Sequence, residues 1–544
     1  MKQINLSILG LVGITTLFGC STAQHPTGVN AEIAPPSIQP TGLYTTRLMA
    51  TETKRIGILP PRPVPSSNAN TQQYEDKIDN PIKRVAEHPV STFSIDVDTG
   101  SYTNARQMIW RGQKIMPEGI RAEEFINYFS YDYPQSNQNL PFSTNTLFTT
   151  APWNKNHQLL RIALKAQDIK AQHLPDTNLV YLIDVSGSMA SEDKLNLVKT
   201  ALLEMVDQLR PQDKISIVTY SGKEEVVLSG VSGSDKHTIK TAISRLTAAG
   251  STNGESAIQM AYQQAENHYL KHGINRILLL TDGDFNVGVS DTKTLKQMIA
   301  THQQKGIGLS TMGVGNYRFN DGLMEQLADA GNGKYSYLDS LGEARKVLIH
   351  EMSSTLANVA NDVKVQVEFN PAYVQEYRLL GYDNRQLARE DFNNDQVDAG
   401  DIGAGHTVTA LYEIVPVSAK ATLDPLRYQA DAKTVQGSKN GEIAYLRLRY
   451  KLPQQTQSKL IEQAIKQNSL VPWEKADQDL YFAVAASQFA FKLQQRKDIP
   501  VMSWQEIIRM AKAGASADQF GQKQEMIGLM QKAQLTYPDR KSEN

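Results

Sequence analysis

The sequence predicts an α/β fold: a parallel sheet with helices on both faces, flanked by antiparallel β structure and followed by a helical segment. Two observations predict the central unit. From Asp176 onward, short runs such as Leu179–Ile183 and Ile277–Leu280 are continuously apolar, as strands buried on both faces require. Between them lie segments with helical spacing, for example Leu195, Val198, Leu202, Met205 and Leu209. A third observation sets the flanks. There the apolar residues alternate with polar ones, the period of a half-buried antiparallel strand.

The chain begins with an address. Lys2 and the apolar stretch Leu6–Phe18 have the size of a secretory signal core, short of the roughly 20 residues a spanning helix needs. Cys20, the only cysteine among 544 residues, follows at once in Leu17-Phe18-Gly19-Cys20. This resembles the lipobox of bacterial lipoproteins, with Phe18 where a smaller or β-branched residue is usual. The resemblance implies that residues 1–20 are a lipoprotein signal peptide and that Cys20 is acylated. It also implies, with Ser21 next, a membrane anchor in the cell envelope, at the outer membrane facing the periplasm. Several acyl chains on a mature N-terminus hold stably where a single chain would not. Residues 21–76 read as a tether: eight of the 23 prolines fall between Ser21 and Asn70, among Ser, Thr, Asn and Gln, and such a segment buries too little to offset its ordering entropy.

Composition excludes several classes. At about 150 residues per domain the chain holds three or four units. Lysines and arginines number 56 against 57 aspartates and glutamates, with no long basic run, so the electrostatic footprint of a nucleic-acid binder is missing. One cysteine excludes a disulfide framework and a Cys-rich zinc site.

The folded body then divides as follows. Residues 77–150 form an N-terminal segment. Residues 151–175 carry strands, with Leu160, Ile162 and Leu164 alternating with Arg161, Ala163 and Lys165, that are expected to pair with the later β domain into one sheet domain. The α/β unit, 176–357, is thereby an insertion. It is expected to hold helices over Lys194–Leu209, Asp235–Leu246, Glu255–Leu270, Leu295–Gln304 and Glu343–Leu356, and strands at Ile215–Tyr220, Gly308–Val314 and Lys334–Leu338. Residues 358–455 form the antiparallel domain, where Val363, Val365, Val367 and Phe369 alternate with polar residues, as do Val408–Ile414 and Leu446–Leu452. Residues 456–544 are helical, with apolar residues three and four apart in Leu480–Leu493, Trp504–Ala513 and Glu525–Ala533.

Three loops carry the chemistry. Asp184-Val185-Ser186-Gly187-Ser188 ends the first buried run, Ala249-Gly250-Ser251-Thr252-Asn253-Gly254 precedes a helix, and Leu280-Thr281-Asp282-Gly283-Asp284 ends the central run. All three fall at the carboxyl edge of the expected sheet, where open α/β sheets place their ligands. The D-x-S-x-S loop, the later threonine and the T-D-G resemble the metal-ion-dependent adhesion site of the von Willebrand factor A (VWA) domain, a Rossmann-like fold. The resemblance implies that Asp184, Ser186, Ser188, Thr252 and Asp282 coordinate a divalent cation, some through water. Oxygen-only donors select Mg²⁺, Mn²⁺ or Ca²⁺ over zinc or copper, and a compact shell of hydroxyls and waters suits Mg²⁺ best. Two carboxylates only balance such an ion, so it keeps attraction for a Glu or Asp of a protein partner. Asp284 reads as a turn or supporting residue.

The flanks resemble something narrower. Asn80-Pro81, Ser94-Ile95-Asp96-Val97-Asp98-Thr99-Gly100-Ser101-Tyr102, Glu123-Glu124-Phe125-Ile126-Asn127-Tyr128-Phe129, Glu368-Phe369-Asn370-Pro371 and Gly400-Asp401-Ile402-Gly403-Ala404-Gly405-His406 look like the flanking domains of a bacterial family of VWA lipoproteins. That resemblance implies no reaction, and the chain is read as a binding protein of the envelope, not an enzyme. The alternative is an envelope scaffold whose metal only stiffens the α/β unit. Asp98-Thr99-Gly100-Ser101 mimics the aspartic-protease motif, but that chemistry needs a second carboxylate sharing a proton and no second such motif follows. Asp391–Asp395 starts like a calcium loop, yet Gln396 replaces the glycine and Ile402 the bidentate glutamate.

Overall fold

Successive side chains of one strand, Thr177–Asp184, serve two different cores. Leu179, Tyr181 and Ile183 pack with Val198, Leu202 and Ile239, whereas Val180 and Leu182 pack with Ile258, Ala261, Leu295 and Met324 on the opposite face. The computed structural model describes residues 79–539 apart from 136–139, 252–253, 284–291, 316–318, 425–440 and 517. The signal peptide, Cys20 and the tether expected at the N-terminus lie outside the described residues.

The sheet of the α/β unit runs Tyr335–Tyr337, Ile307–Gly313, Ile274–Thr281, Thr177–Asp184, Lys214–Tyr220, Glu224–Ser232. Its first five strands are parallel. Glu224–Ser232 is not: it turns back at residues 221–223 and pairs antiparallel with Lys214–Tyr220. The parallel sheet expected is thus present with one antiparallel edge added, and this strand carries no buried run because it is a partly solvated edge with a shifting register. Two expected helices are also interrupted. Lys194–Leu209 is regular only over Leu197–Met205, after a wide turn at Glu192–Asn196 that breaks at Lys194. Glu343–Leu356 divides into Leu341–Arg345, a wide turn at Lys346–His350, and Met352–Leu356. A hydrophobic stripe does not register a single widened turn.

The flanking strands form one domain of two sheets, and Ser458–Lys466 and Leu470–Val471 add strands within residues 456–544, a range expected to be helical; their polar, exposed alternation lacks the helical stripe that marks the helices further on. One runs Lys83–Arg84, Val374–Leu380, Thr407–Pro416, Asn154–Ala166, Phe142–Ala151, Leu470–Val471; the other runs Ile402–Gly403, Asn358–Phe369, Glu442–Lys451, Ser458–Lys466, with Val90–Ser94 also on Asn358–Phe369. Asn154–Ala166 pairs with Thr407–Pro416 across the α/β unit, in register from Gln158 opposite Ile414 to Lys165 opposite Thr407. Leu160, Ile162 and Leu164 face Val365, Val367, Leu446 and Leu448 in a shared core, so the two sheets form a sandwich. The polar face expected on Asn154–Ala166 is also covered: Leu159 and Ala163 join Leu480, Phe489 and other helical residues, and Arg161 is buried.

That third core belongs to the helices. Gln478–Gln494, Trp504–Gly514 and Gln522–Thr536 pack with Gly100–Trp110 and Ala122–Asn127 from the N-terminal segment. Asp477 caps the first of these by accepting the Leu480 amide, and Ser503 with Glu506 forms a reciprocal capping box on the second. Phe125 meets Phe489 and Phe129 meets Phe482 edge to face, and Tyr102 packs edge to face on both Phe125 and Phe129. Among the described residues no helix is long and apolar enough to cross a membrane.

Candidate metal centre

The strand Thr177–Asp184 delivers a carboxylate to the sheet edge because Asp184 is its last paired residue, opposite Tyr220. Beyond it the chain tightens into a 3-10 turn at Gly187–Ala190. Asp184 Oδ1 accepts the Ser186 amide at 2.8 Å. Its Oδ2 accepts the Thr281 hydroxyl at 3.0 Å and the Tyr220 phenol at 3.3 Å. The Ser186 and Ser188 hydroxyls lie 2.9 Å apart. Asp184 and Ser186 are buried and Ser188 is exposed, so the constellation reaches solvent through Ser188.

The second loop is fastened to the first by its backbone. The Gly187 amide donates to the Gly250 carbonyl at 3.0 Å, and the Ala249 amide to the Val185 carbonyl at 2.8 Å. Thr252 itself lies outside the described residues, as does Asp284. Asp282, at the end of the neighbouring central strand, is 2% exposed and accepts the Lys194 ammonium at 2.8 Å. The same ammonium donates to the Ser188 carbonyl at 2.9 Å, which ties the Asp282 turn to the D-x-S-x-S loop. Gly283 follows with φ +80°, and a Cβ there would run into Phe319 and Asn320, so the turn demands glycine. Of the five residues singled out, Asp184, Ser186, Ser188 and Asp282 therefore stand at one sheet edge.

Three further residues shape this edge. Thr281 and Tyr220 both hold Asp184, and each ends a strand beside it; Thr281 stands in the T-D-G of the third loop, whereas Tyr220 carries no sequence signal beyond its place at a strand end. Lys194 looks from sequence like nothing more than the first residue of a helix. Burial pushes the Asp184 carboxyl above its ordinary range, against the lowering effect of the Ser186 and Thr281 hydrogen bonds, and the charge of Asp282 adds to the rise. Among the described residues the hydrogen-bond partners of Asp184 are all neutral. A buried carboxylate in a shell of hydroxyls and amides fits a hard divalent cation.

A second acidic cluster, which the sequence reading did not find as such, lies where the N-terminal segment meets the α/β unit. Carboxylate oxygens of Asp96, Glu124 and Glu325 lie within 4.8 Å of one another, all buried. Two guanidiniums are woven through them. Arg385 reaches Asp96 at 3.1 Å, Asp98 at 3.2 Å, Glu325 at 3.1 Å and Asp329 at 2.8 Å. Arg121 pairs with Glu124, with Asp321 at 2.6 Å and with Glu325 at 3.4 Å. Asp98, the residue of the protease-like motif, also accepts the Tyr335 amide at 2.7 Å and so joins the two segments. Burial raises Asp98 and Glu124 well above the usual carboxylate range and Glu325 to about 7. Arg106 makes a comparable junction, with both Asp339 oxygens at 2.6 Å, Glu343 at 2.7 Å and Glu525 at 3.0 Å.

A sheet with helices on both faces and a hydroxyl–carboxylate loop at its carboxyl edge define a VWA protein, and the comparisons agree. The family model described as von Willebrand factor type A domain matches residues 178–349. Those described as von Willebrand factor and as uncharacterized protein YfbK, C-terminal, match residues 68–161 and 354–535. The uncharacterized protein YfbK of Escherichia coli (strain K12) is 44% identical over 474 residues, covering 86% of this chain and 82% of that protein. The chain belongs to the YfbK family of VWA proteins. Inter-alpha-trypsin inhibitor heavy chain H4 of Homo sapiens is 27% identical over 186 residues, 33% of this chain and 19% of that protein. Among solved structures, a von Willebrand factor type A protein from Catenulispora acidiphila is 15% identical, covering 72% of this chain and 92% of that one with a TM-score of 0.41. VWA domains mediate protein–protein interactions and often bind a divalent metal.

Proposed function

We propose that this is a lipid-anchored binding protein of the cell envelope whose metal-ion-dependent adhesion site captures an acidic side chain of a protein partner. The observation that carries the reading is the meeting of Asp184, Ser186, Ser188 and Asp282 at one sheet edge that opens to solvent at Ser188. In this reading Asp184, Ser186, Ser188, Thr252 and Asp282 hold one divalent cation, Mg²⁺ before Mn²⁺ or Ca²⁺. When bound, the ion supplies Lewis-acid attraction for one more anionic oxygen. Asp184 is held in place by Thr281 and Tyr220, and the Gly250 loop is held by the backbone of residues 185–187. Cys20 carries the lipid, residues 21–76 give reach, and the body faces the periplasm from the outer membrane.

Calorimetry on the full chain tests the metal: Mg²⁺, Mn²⁺ or Ca²⁺ should fill one site, and Asp184→Ala should abolish it. Affinity capture from membranes, with and without chelator, tests the role. Capture lost on chelation and in Asp184→Ala and Thr252→Ala supports adhesion. Capture that survives while the melting temperature falls makes the metal a stiffener and the protein a scaffold. Loss of the chain from the membrane fraction in Cys20→Ser tests the anchor.

A further inference from the structure

We propose that Lys194 is a built-in counter-cation of the adhesion site that keeps metal affinity low until a carboxylate ligand arrives, and so couples metal uptake to partner binding. This rests on the metal-site reading above.

The lysine has a constructed seat. Its side chain is only 10% exposed, and its ammonium has two acceptors from two loops, Asp282 Oδ2 at 2.8 Å and the Ser188 carbonyl at 2.9 Å. To reach them the backbone leaves the helical conformation at Lys194 alone, with φ −124° and ψ −106°, inside the turn that precedes Leu197–Met205. Opposite its aliphatic stem stands Gly315, at φ +76°, where any side chain would collide with the stem. A buried ammonium is stable only when paired and hydrogen-bonded. Here both acceptors come from the loops that form the candidate site.

The consequence is electrostatic. Among the described residues that meet at this edge, Asp184 and Asp282 carry two negative charges, and Lys194 cancels one. A divalent ion entering a site of net charge −1 leaves the assembly at +1, and one carboxylate from outside brings it to neutrality. Without Lys194 the ion would already be balanced. The ammonium therefore opposes the metal and favours the incoming acid, and in the low effective dielectric of a buried edge one charge changes either affinity on the order of 10- to 100-fold.

Lys194→Met in the full chain tests this, with Lys194→Arg retaining the charge and Asp184→Ala removing a ligand. Mn²⁺ binding is read by electron paramagnetic resonance with and without acetate as the carboxylate probe, and melting is followed in chelator by circular dichroism. Lys194→Met should bind Mn²⁺ about 10-fold more tightly or better, acetate should strengthen Mn²⁺ binding less than in the unaltered chain, and Lys194→Arg should restore both behaviours. In chelator, Lys194→Met should melt below the unaltered chain and gain more on adding Mn²⁺. Unchanged or weaker Mn²⁺ binding by a folded Lys194→Met, with the unaltered chain binding normally, overturns the role of the lysine alone. Absence of Mn²⁺ binding from the unaltered chain and both lysine variants overturns the metal reading and this proposal with it.

Discussion

Two clusters of carboxylates in this molecule are built on opposite principles. At the sheet edge, Asp184 and Asp282 are accompanied by hydroxyls, amides and one ammonium, and Ser188 opens to solvent. At the junction with the N-terminal segment, Asp96, Asp98, Glu124, Asp321 and Glu325 are buried around the guanidiniums of Arg121 and Arg385. A guanidinium fork satisfies carboxylates in a fixed plane and holds two elements in one register. Hydroxyls satisfy a carboxylate only partly in charge, and they leave oxygen lone pairs facing outward. The first cluster is therefore able to take a ligand, and the second serves as a lock between segments far apart in sequence.

The largest effect should come from breaking the lock. Arg121→Met leaves Asp321 and Glu124 buried without their cation and Glu325 with Arg385 alone, and chemical denaturation should show a loss of about 3–5 kcal/mol with metal binding retained by the molecules that fold. The sheet edge should respond the other way round. Thr281→Val removes the hydroxyl that holds Asp184, and Mn²⁺ affinity should fall about 10- to 100-fold with a small change in stability. Equal stability losses in the two variants would erase the distinction between lock and site.

A smaller effect separates the clusters by pH. Glu325 faces Arg121, Arg385, Asp321 and Asp329, with Asp96 and Glu124 beside it. Burial lifts its carboxyl from an ordinary 4.5 to about 7, so the folded state keeps a proton that the unfolded chain releases. That contribution is complete below about pH 4.5 and is lost as pH rises through about 7. Glu325→Gln, which cannot titrate, should flatten this part of the melting-temperature profile. A profile identical to that of the unaltered chain would take Glu325 out of the proton balance of the lock.

The α/β unit was legible because its signals are local. A strand buried on both faces reads as an unbroken apolar run, and Leu179–Ile183 and Ile277–Leu280 do so. One loop of the site was legible for the same reason, since Asp184 to Ser188 keeps its donors within five residues, whereas Thr252 and Asp282 joined it only through the resemblance to the VWA site. The edge strand Glu224–Ser232 escaped because half of it faces water. The two-sheet sandwich escaped because alternation says that a strand has one buried face and does not say which sheet it joins. Lys194 escaped because its role depends on Asp282, 88 residues away.

By itself, then, the amino-acid order determined the buried strands of the α/β unit, most of its helices and which oxygen-bearing residues stand at its strand ends, since these follow from periodicity and from neighbours along the backbone. Tertiary structure alone decided which charges meet. Arg385 finds Asp96 and Glu325, Arg106 finds Asp339 and Glu525, and Lys194 finds Asp282 because packing excludes water and forces each buried charge to take a partner from whatever segment the fold brings within reach.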